Sequence, residues 1–310
     1  MQFAFSEEQR ELRDGARAYL RDALPLERVA EIADSDQGWD PTSWAELVEL
    51  GWPGATVPED QGGAGLGFVE QAILLEELGY SLYAGPYLAT VLALPALGAE
   101  QQAAVAEGET RWSVEVAGLV PDLDRVDRVV TAEGAAAAEG QALEGIDPTR
   151  PLGRLRDGAR DPLPGALDSP GVLTAVAAEA LGVARRALEL AVEYAKERRQ
   201  FGRPIGIYQA IAHPLADSFG DIELARSLVY AAAWKIDERP DEAPSAAAAA
   251  KAFATETAVA ACQLAIQVFG GIGFTWEHPL HRFYRRALWL QAFAGYPAEH
   301  RATVAASLLR

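Results

Sequence analysis

Residues 178–204 read AEALGVARRALELAVEYAKERRQFGRP, and their periodicity decides the reading of the C-terminal half. Leu181, Ala184, Leu188, Ala191 and Ala195 recur at spacings of three and four, while Arg185, Arg186, Glu189, Glu193 and Lys196 take the other face. This spacing predicts a long amphipathic helix that breaks at Gly202-Arg203-Pro204. Further helical stretches follow through Leu215 to Ala233, from Ser245 to Val268 and near the C-terminus. Together they suffice for an antiparallel four-helix bundle over residues 171–310.

Upstream of the bundle the text changes character. Between residues 111 and 170, Trp112 to Val116 and Arg128 to Thr131 carry the β-branched residues of short strands, followed by Gly- and Pro-rich turns, which predicts a small β unit. The Ala-rich tracts Ala135–Ala138 and Ser245–Ala250 lack the charge or repeat structure of a functional low-complexity segment. Residues 1–110 read as a helical domain. Ser6 and Gln9 can close a capping box ahead of Leu12, Ala16, Tyr19 and Leu20, and a second helix through Trp44, Leu47 and Val48 stops at Gly51-Trp52-Pro53. The stretch Val57 to Gly67 is a glycine-rich loop that starts the helix Phe68 to Gly79. No strand precedes it and neither GxGxxG nor Gly-Lys-Ser/Thr follows, which argues against a nucleotide P-loop.

Composition narrows the function classes. A length of 310 residues exceeds what one core usually serves, so two or three structural units are expected. The 50% apolar and 23% charged content is that of a globular protein, and a net charge of -18 opposes a counterion-release mode of nucleic-acid binding. Cys262 has no partner for a disulfide, and four scattered His residues lack metal-ligand spacing, so no metal is expected. No uninterrupted apolar run reaches membrane-spanning length, and the acidic amphipathic N-terminus is unlike a signal peptide. The expectation is a cytoplasmic protein with neither nucleic acid nor membrane as partner.

Several separated motifs, in order, resemble the acyl-CoA dehydrogenase family. They are Leu50-Gly51-Trp52-Pro53 through Pro58 to Gly65, Glu76-Glu77-Leu78-Gly79, Arg198-Arg199-Gln200-Phe201-Gly202-Arg203-Pro204, and Gln267 to Phe274 followed by Glu277-His278-Pro279 and Tyr284-Arg285. The resemblance implies a mainly α fold with an N-terminal helical domain, a reduced middle β domain and a C-terminal four-helix bundle. It also implies FAD at a subunit interface, acyl-CoA as substrate and an electron-transfer flavoprotein as acceptor. In that family an α-proton goes to a carboxylate and a β-hydride to the flavin. Carried over by motif, the flavin-binding residues are Arg198, Gln200, Phe201, Gln209, Gln267, Gly270 and Gly271. A guanidinium at Arg198 suits a pyrophosphate, and the two glycines admit close approach of the adenosine end.

The departures from the family matter as much. Its usual catalytic Glu falls on Ala294 and the alternative base position on Val172, so neither holds a carboxylate, and the Arg that often follows the latter falls on Leu173. No Thr-Glu-Pro-type segment for gripping the flavin ring lies between Arg111 and Pro121, although Ile146 to Leu152 still resembles the exit of the β domain. Substitute bases are few: Glu179 and Glu299 read as solvated charges, and Asp217, Asp221 and Glu223 as a polar helix face. His278 and His281 beside Trp276 read as structural hydrogen-bonding residues. The chain thus resembles the shortened, base-lacking subunit of heteromeric α2β2 acyl-CoA dehydrogenases, which act on bulky substrates such as steroid side chains. Its expected partner is a homologous subunit carrying the catalytic Glu. The alternatives are a self-sufficient flavoenzyme with a displaced base and a flavin-free scaffold.

Overall fold

A computed structural model describes residues 4–309. The chain is mostly helical. Six helices come first: α1 (Glu7–Ala23), α2 (Leu26–Asp34), α3 (Pro41–Glu49), α4 (Phe68–Tyr80), α5 (Tyr87–Ala93) and α6 (Ala99–Ala106). Ser6 closes the capping box the sequence predicts, its hydroxyl accepting from Gln9 N at 3.1 Å while Gln9 Oε1 accepts from Ser6 N at 3.0 Å.

The β unit holds β1 (Trp112–Val114), β2 (Val120–Pro121), β3 (Arg128–Thr131), β4 (Gly134–Ala137), β5 (Gly140–Leu143) and β6 (Leu152–Leu155). One sheet runs β1-β3-β4 and the other β2-β6-β5. β4 is the alanine tract that carries no strand signal of its own. Pairing sets its state, with Val129 opposite Ala136 and Val130 opposite Ala135 on antiparallel β3.

The bundle consists of α7 (Ser169–Glu197), a hairpin of β7 (Arg199–Gln200) and β8 (Arg203–Pro204), then α8 (Gln209–Glu238), α9 (Ala243–Phe269) and α10 (Leu280–Ala292), with α11 (Pro297–Leu308) packed on α9. α8 begins earlier than its sequence pattern indicates, because Pro214 lies inside the helix instead of preceding it. The segment Pro240–Phe274 is long and apolar enough by composition to cross a membrane, although Lys251, Glu256, Gln263 and Gln267 interrupt its apolar run. Its α9 portion packs against α7, α8, α10 and α11, which is how a core helix comes to be apolar on every side. One continuous core joins the N-terminal helices, β1 and the bundle; among the described residues Val120, Leu123, Val126 and Val129 form a separate cluster.

The join between the two helical parts is the crossing of α4 with α7. A Cβ on Gly182 would stand 1.9 Å from the Glu76 carbonyl oxygen, and one on Gly79 would stand 2.2 Å from that of Glu179. The helices therefore touch backbone to backbone. Beside this contact Glu76 and Glu77 are buried among cations. Arg226 reaches Glu76 at 2.8 Å, Tyr230 OH donates to it at 2.6 Å, and Arg185 pairs with both carboxylates, reaching Glu77 at 2.8 Å. Arg17 from α1 completes the cluster at 3.0 Å from Glu77. Burial pushes the Glu77 pKa up, but Arg17 and Arg185 outweigh it and hold the group below its ordinary value. Arg185, on the charged side of the predicted amphipathic helix, is largely withdrawn from solvent: its side chain is 11% exposed because α4 covers that side.

Gly182→Ala and Gly79→Ala are each expected to destabilise the protein by about 1–3 kcal/mol or more, since a methyl group must force two backbones apart. Gly15→Ala in α1, where nothing lies within 4 Å, is expected to be stabilising by roughly 0.5–1 kcal/mol. Urea denaturation of the three variants checks both directions.

Candidate functional site

The Arg198 and Gly270 motifs, some seventy residues apart in sequence, meet at one end of the bundle. Tyr194, one turn before the end of α7, stacks on Phe269, the last residue of α9, with ring centroids 4.1 Å apart, and Phe269 also contacts the His278 ring at 4.2 Å. α7 and α9 thus finish side by side, and α8 starts at the same end.

The hairpin after α7 turns through Phe201 (φ 51) and Gly202 (φ 79). Positive φ at both central residues gives a tight two-residue hairpin, at a backbone cost for Phe201. Its ring is 91% exposed and touches Tyr208 edge-on, with centroids 6.4 Å apart. Tyr208 OH donates to Gln200 O at 3.2 Å, which braces the hairpin. Among the described residues the guanidinium groups of Arg198, Arg199 and Arg203 have no hydrogen-bond or ion-pair partner, so a chain of net charge -18 presents a local basic patch here. Gln200 donates only to the neighbouring Arg199 carbonyl, at 2.9 Å, while Gln209 and Gln267 are exposed at the start of α8 and near the end of α9.

Gly270 (φ 64) ends α9 and opens a short 3-10 turn, Gly270–Phe274. Among the described residues, chain neighbours apart, nothing lies within 4 Å of a Cβ placed on Gly270 or Gly271. The close approach inferred for these glycines therefore does not come from this chain: Gly270 is needed for its backbone angle, and Gly271 faces open space. Unpaired guanidinium groups beside an open glycine turn fit the pyrophosphate end of the FAD that the fold family implies.

His278 accepts from Leu280 N at 3.3 Å, a structural role. His281 departs from expectation. Its two ring nitrogens have no partner, the ring packs edge-on against Trp276 at 4.5 Å, and burial together with Arg282 and Arg285 lowers its pKa to about 4, so it is neutral.

Neither base position carries a carboxylate, yet the loop at Ala294 is firmly built. Ala294 (φ 59) and Gly295 (φ 98) both lie in the left-handed region. The buried Lys251 ammonium on α9 donates to Gln291 O at 2.9 Å and Gly295 O at 2.7 Å, and His300 Nε2 lies 3.2 Å from the same Gly295 oxygen. Burial lowers the Lys251 pKa to about 8. Glu299 caps α11 by accepting from Tyr296 N at 3.0 Å. Val172, 3% exposed in the first turn of α7, lines a cavity of ≈ 240 Å³.

Glu179 is not the solvated charge its helix context predicts. It is 2% exposed, and its Oε1 accepts from Arg150 at 2.8 Å and from Arg286 at 2.5 Å. Arg286 also donates to Asp147 at 2.5 Å and to Thr149 Oγ1 at 2.7 Å. The Asp147-Pro148-Thr149-Arg150 stretch, which joins β5 to β6 inside the β unit and is not its exit as its resemblance implied, is clamped in this way onto α7 and α10. Both candidate substitute bases are engaged in structural contacts, one in a buried ion cluster and the other in a helix cap.

Sequence reasoning missed Lys251, Arg286 and the clamping role of Asp147 and Arg150. A lone Lys inside the Ala-rich α9 was the one available signal.

The acyl-CoA dehydrogenase N-terminal domain profile matches residues 6–105 and the acyl-CoA dehydrogenase C-terminal domain profile matches residues 174–309. The chain is similar to acyl-CoA dehydrogenase IpdE2 of Mycobacterium tuberculosis, 37% identical over 297 residues that cover 91% of each chain. Among solved structures it resembles the ChsE4-ChsE5 complex from Mycobacterium tuberculosis, with TM-score 0.89, 26% identity and coverage of 100% and 99%. It also resembles the steroid ACAD Tcur3481-Tcur3483, with TM-score 0.87, 26% identity and 98% coverage of both chains.

Lys251→Met is expected to destabilise the protein by about 1–3 kcal/mol, because two buried carbonyls lose their donor, and to speed amide exchange in residues 291–296. The folded pKa of about 8 lies below the ordinary lysine value of 10.5, so the unfolded chain binds the extra proton between them. Wild-type stability relative to Lys251→Met should therefore rise as pH goes from about 8 towards 10.5. Denaturation midpoints across that range test the sign.

Proposed function

The chain belongs to the acyl-CoA dehydrogenase family, and on that premise we propose that it is the base-lacking subunit of a heteromeric enzyme that α,β-dehydrogenates an acyl-CoA thioester. The observation that carries the reading is an asymmetry. Both base positions, Ala294 and Val172, are aliphatic and Glu179 and Glu299 are otherwise engaged, while the unpaired arginines and the open glycine turn face outward. The similarity to a ChsE4-ChsE5 complex supports a two-chain assembly, and that to a steroid ACAD supports a bulky acyl group. The partner is a homologous subunit supplying the catalytic Glu, the electron acceptor an electron-transfer flavoprotein, and the compartment the cytoplasm.

FAD, when bound, would supply the hydride acceptor for the substrate β-carbon. This chain would hold the cofactor from one side. Arg198 offers paired donors to its pyrophosphate, Phe201 an apolar face, Gly270 and Gly271 room for close approach, and Gln200, Gln209 and Gln267 hydrogen bonds at the same bundle end. Nothing in this subunit removes the α-proton.

Expressed alone, the chain should retain little flavin and show no turnover. Co-expressed with a Glu-bearing relative, it should yield a yellow complex that reduces an artificial acceptor when given acyl-CoA. In that complex Arg198→Ala should weaken flavin retention by about 1.5–3 kcal/mol, with partial recovery in Arg198→Lys. A yellow, active assembly of this chain alone would overturn the reading, and a flavin-free complex would favour the scaffold.

A further inference from the structure

Three rings join the hairpin end of α7 to the glycine turn that follows α9. Tyr194 lies stacked on Phe269, with centroids 4.1 Å apart and planes at 17°, and the His278 ring stands 4.2 Å from Phe269. Each ring sits where the chain changes direction. Arg198 N donates to Tyr194 O at 2.8 Å as the hairpin begins, Phe269 directly precedes Gly270, and His278 accepts from Leu280 N at 3.3 Å where α10 starts.

The end of α7 has no left-handed glycine cap. It stops at Arg198 in an extended conformation, so its last carbonyls depend on what packs beside them. What packs there is the returning chain: Arg198 O accepts from Ile205 N at 2.8 Å, and a Cβ on Gly206 would stand 3.0 Å from Ala195 O. The turn after α9 folds back as closely, since a Cβ on Gly273 would stand 2.7 Å from Ile266 O. The hairpin is thus fixed to α7 and the glycine turn to α9, each through its own backbone. Between the last turns of the two helices stand Tyr194 and the buried Phe269, a pair whose attraction depends on ring separation and orientation.

We infer that Tyr194, Phe269 and His278 are positioning residues: their stack sets the spacing between the arginine hairpin and the glycine turn, and through it the grip of this subunit on FAD. The inference rests on the flavin reading above and adds to it residues that do not touch the cofactor. A pyrophosphate and its adenosine have one span, so the donors of Arg198 and the open turn at Gly270 hold the same molecule only when they stand that far apart. A shift of the last turn of α7 against α9 moves one set of contacts and not the other. Spacing fixed during folding leaves less to be ordered on binding.

Flavin fluorescence titrations on the complex co-expressed with a Glu-bearing relative, and amide exchange on the same samples, test this. Tyr194→Leu keeps an apolar side chain and removes the ring. It should weaken FAD retention about threefold to tenfold, the worth of one aromatic pair, while Tyr194→Phe should leave retention unchanged. In an Arg198→Ala background Tyr194→Leu should cost distinctly less than it does alone, because a group it positions is gone. The Arg198 and Ile205 amides should exchange faster in Tyr194→Leu, and also in Phe269→Leu on the other helix, while residues 178–190 keep their rates. An equal loss in Tyr194→Phe would make the hydroxyl a direct contact, an undiminished loss in the double variant would make the two residues independent, and uniformly faster exchange would mean plain destabilisation; each overturns the inference. A flavin-free unmodified complex would overturn the flavin reading together with it, whereas undiminished retention in Tyr194→Leu overturns the positioning role alone. Tyr194 is only half-buried, so its variants decide the matter even if Phe269→Leu fails to fold.

Discussion

Two helices that meet without side chains between them set the geometry of this protein. Because α4 and α7 cross at Gly79 and Gly182, the carboxylates of Glu76 and Glu77 are carried into a seam where water cannot solvate them. Burying two anions costs several kcal/mol each unless cations follow them. Arg17, Arg185 and Arg226 do so from three different helices, with Tyr230 adding its hydroxyl. The close crossing and the ion cluster are one arrangement: widening the crossing would lengthen every ion pair at once. The direction of α7, fixed in this way, decides where its C-terminal hairpin emerges.

A second ion cluster does for the β unit what the first does for the N-terminal helices. Arg286 and Arg150 bring Glu179 and Asp147 together, so a small pair of sheets with little core of its own is anchored to the bundle through charge. Breaking such a buried set by removing one member costs roughly 3–5 kcal/mol, because the remaining charge is left without a counterpart. Glu179 is therefore a poor place for proton transfer, whatever its distance from a substrate.

Much of this was legible in the sequence, for identifiable reasons. Apolar spacing reports which face of α7 is buried, and Ser6 with Gln9 reports where α1 begins, because both signals are local. The charged side of α7 was misread because amphipathicity says which residues are polar and not what covers them; Arg185 and Glu179 meet partners more than a hundred residues away for Glu76 and Glu77, and at Arg286. β4 was invisible because alanine has no strand preference and only its pairing with β3 makes it extended. Lys251 escaped notice because its acceptors are main-chain carbonyls, which leave no trace in side-chain pattern. The residues of the candidate site were found by motif, but their gathering at one bundle end follows only from helix directions.

The hairpin at Phe201 is shaped before anything meets it. The conformational entropy of its turn is lost when the chain folds, so an encounter that uses it has little ordering left to do. The speed of such an encounter is then governed by long-range charge and its lifetime by contact. At -18 the whole molecule repels other acidic surfaces at a distance, while Arg198, Arg199 and Arg203 attract them close by. Added salt weakens both effects together, leaving the residence time to depend chiefly on how well the exposed Phe201 ring is covered.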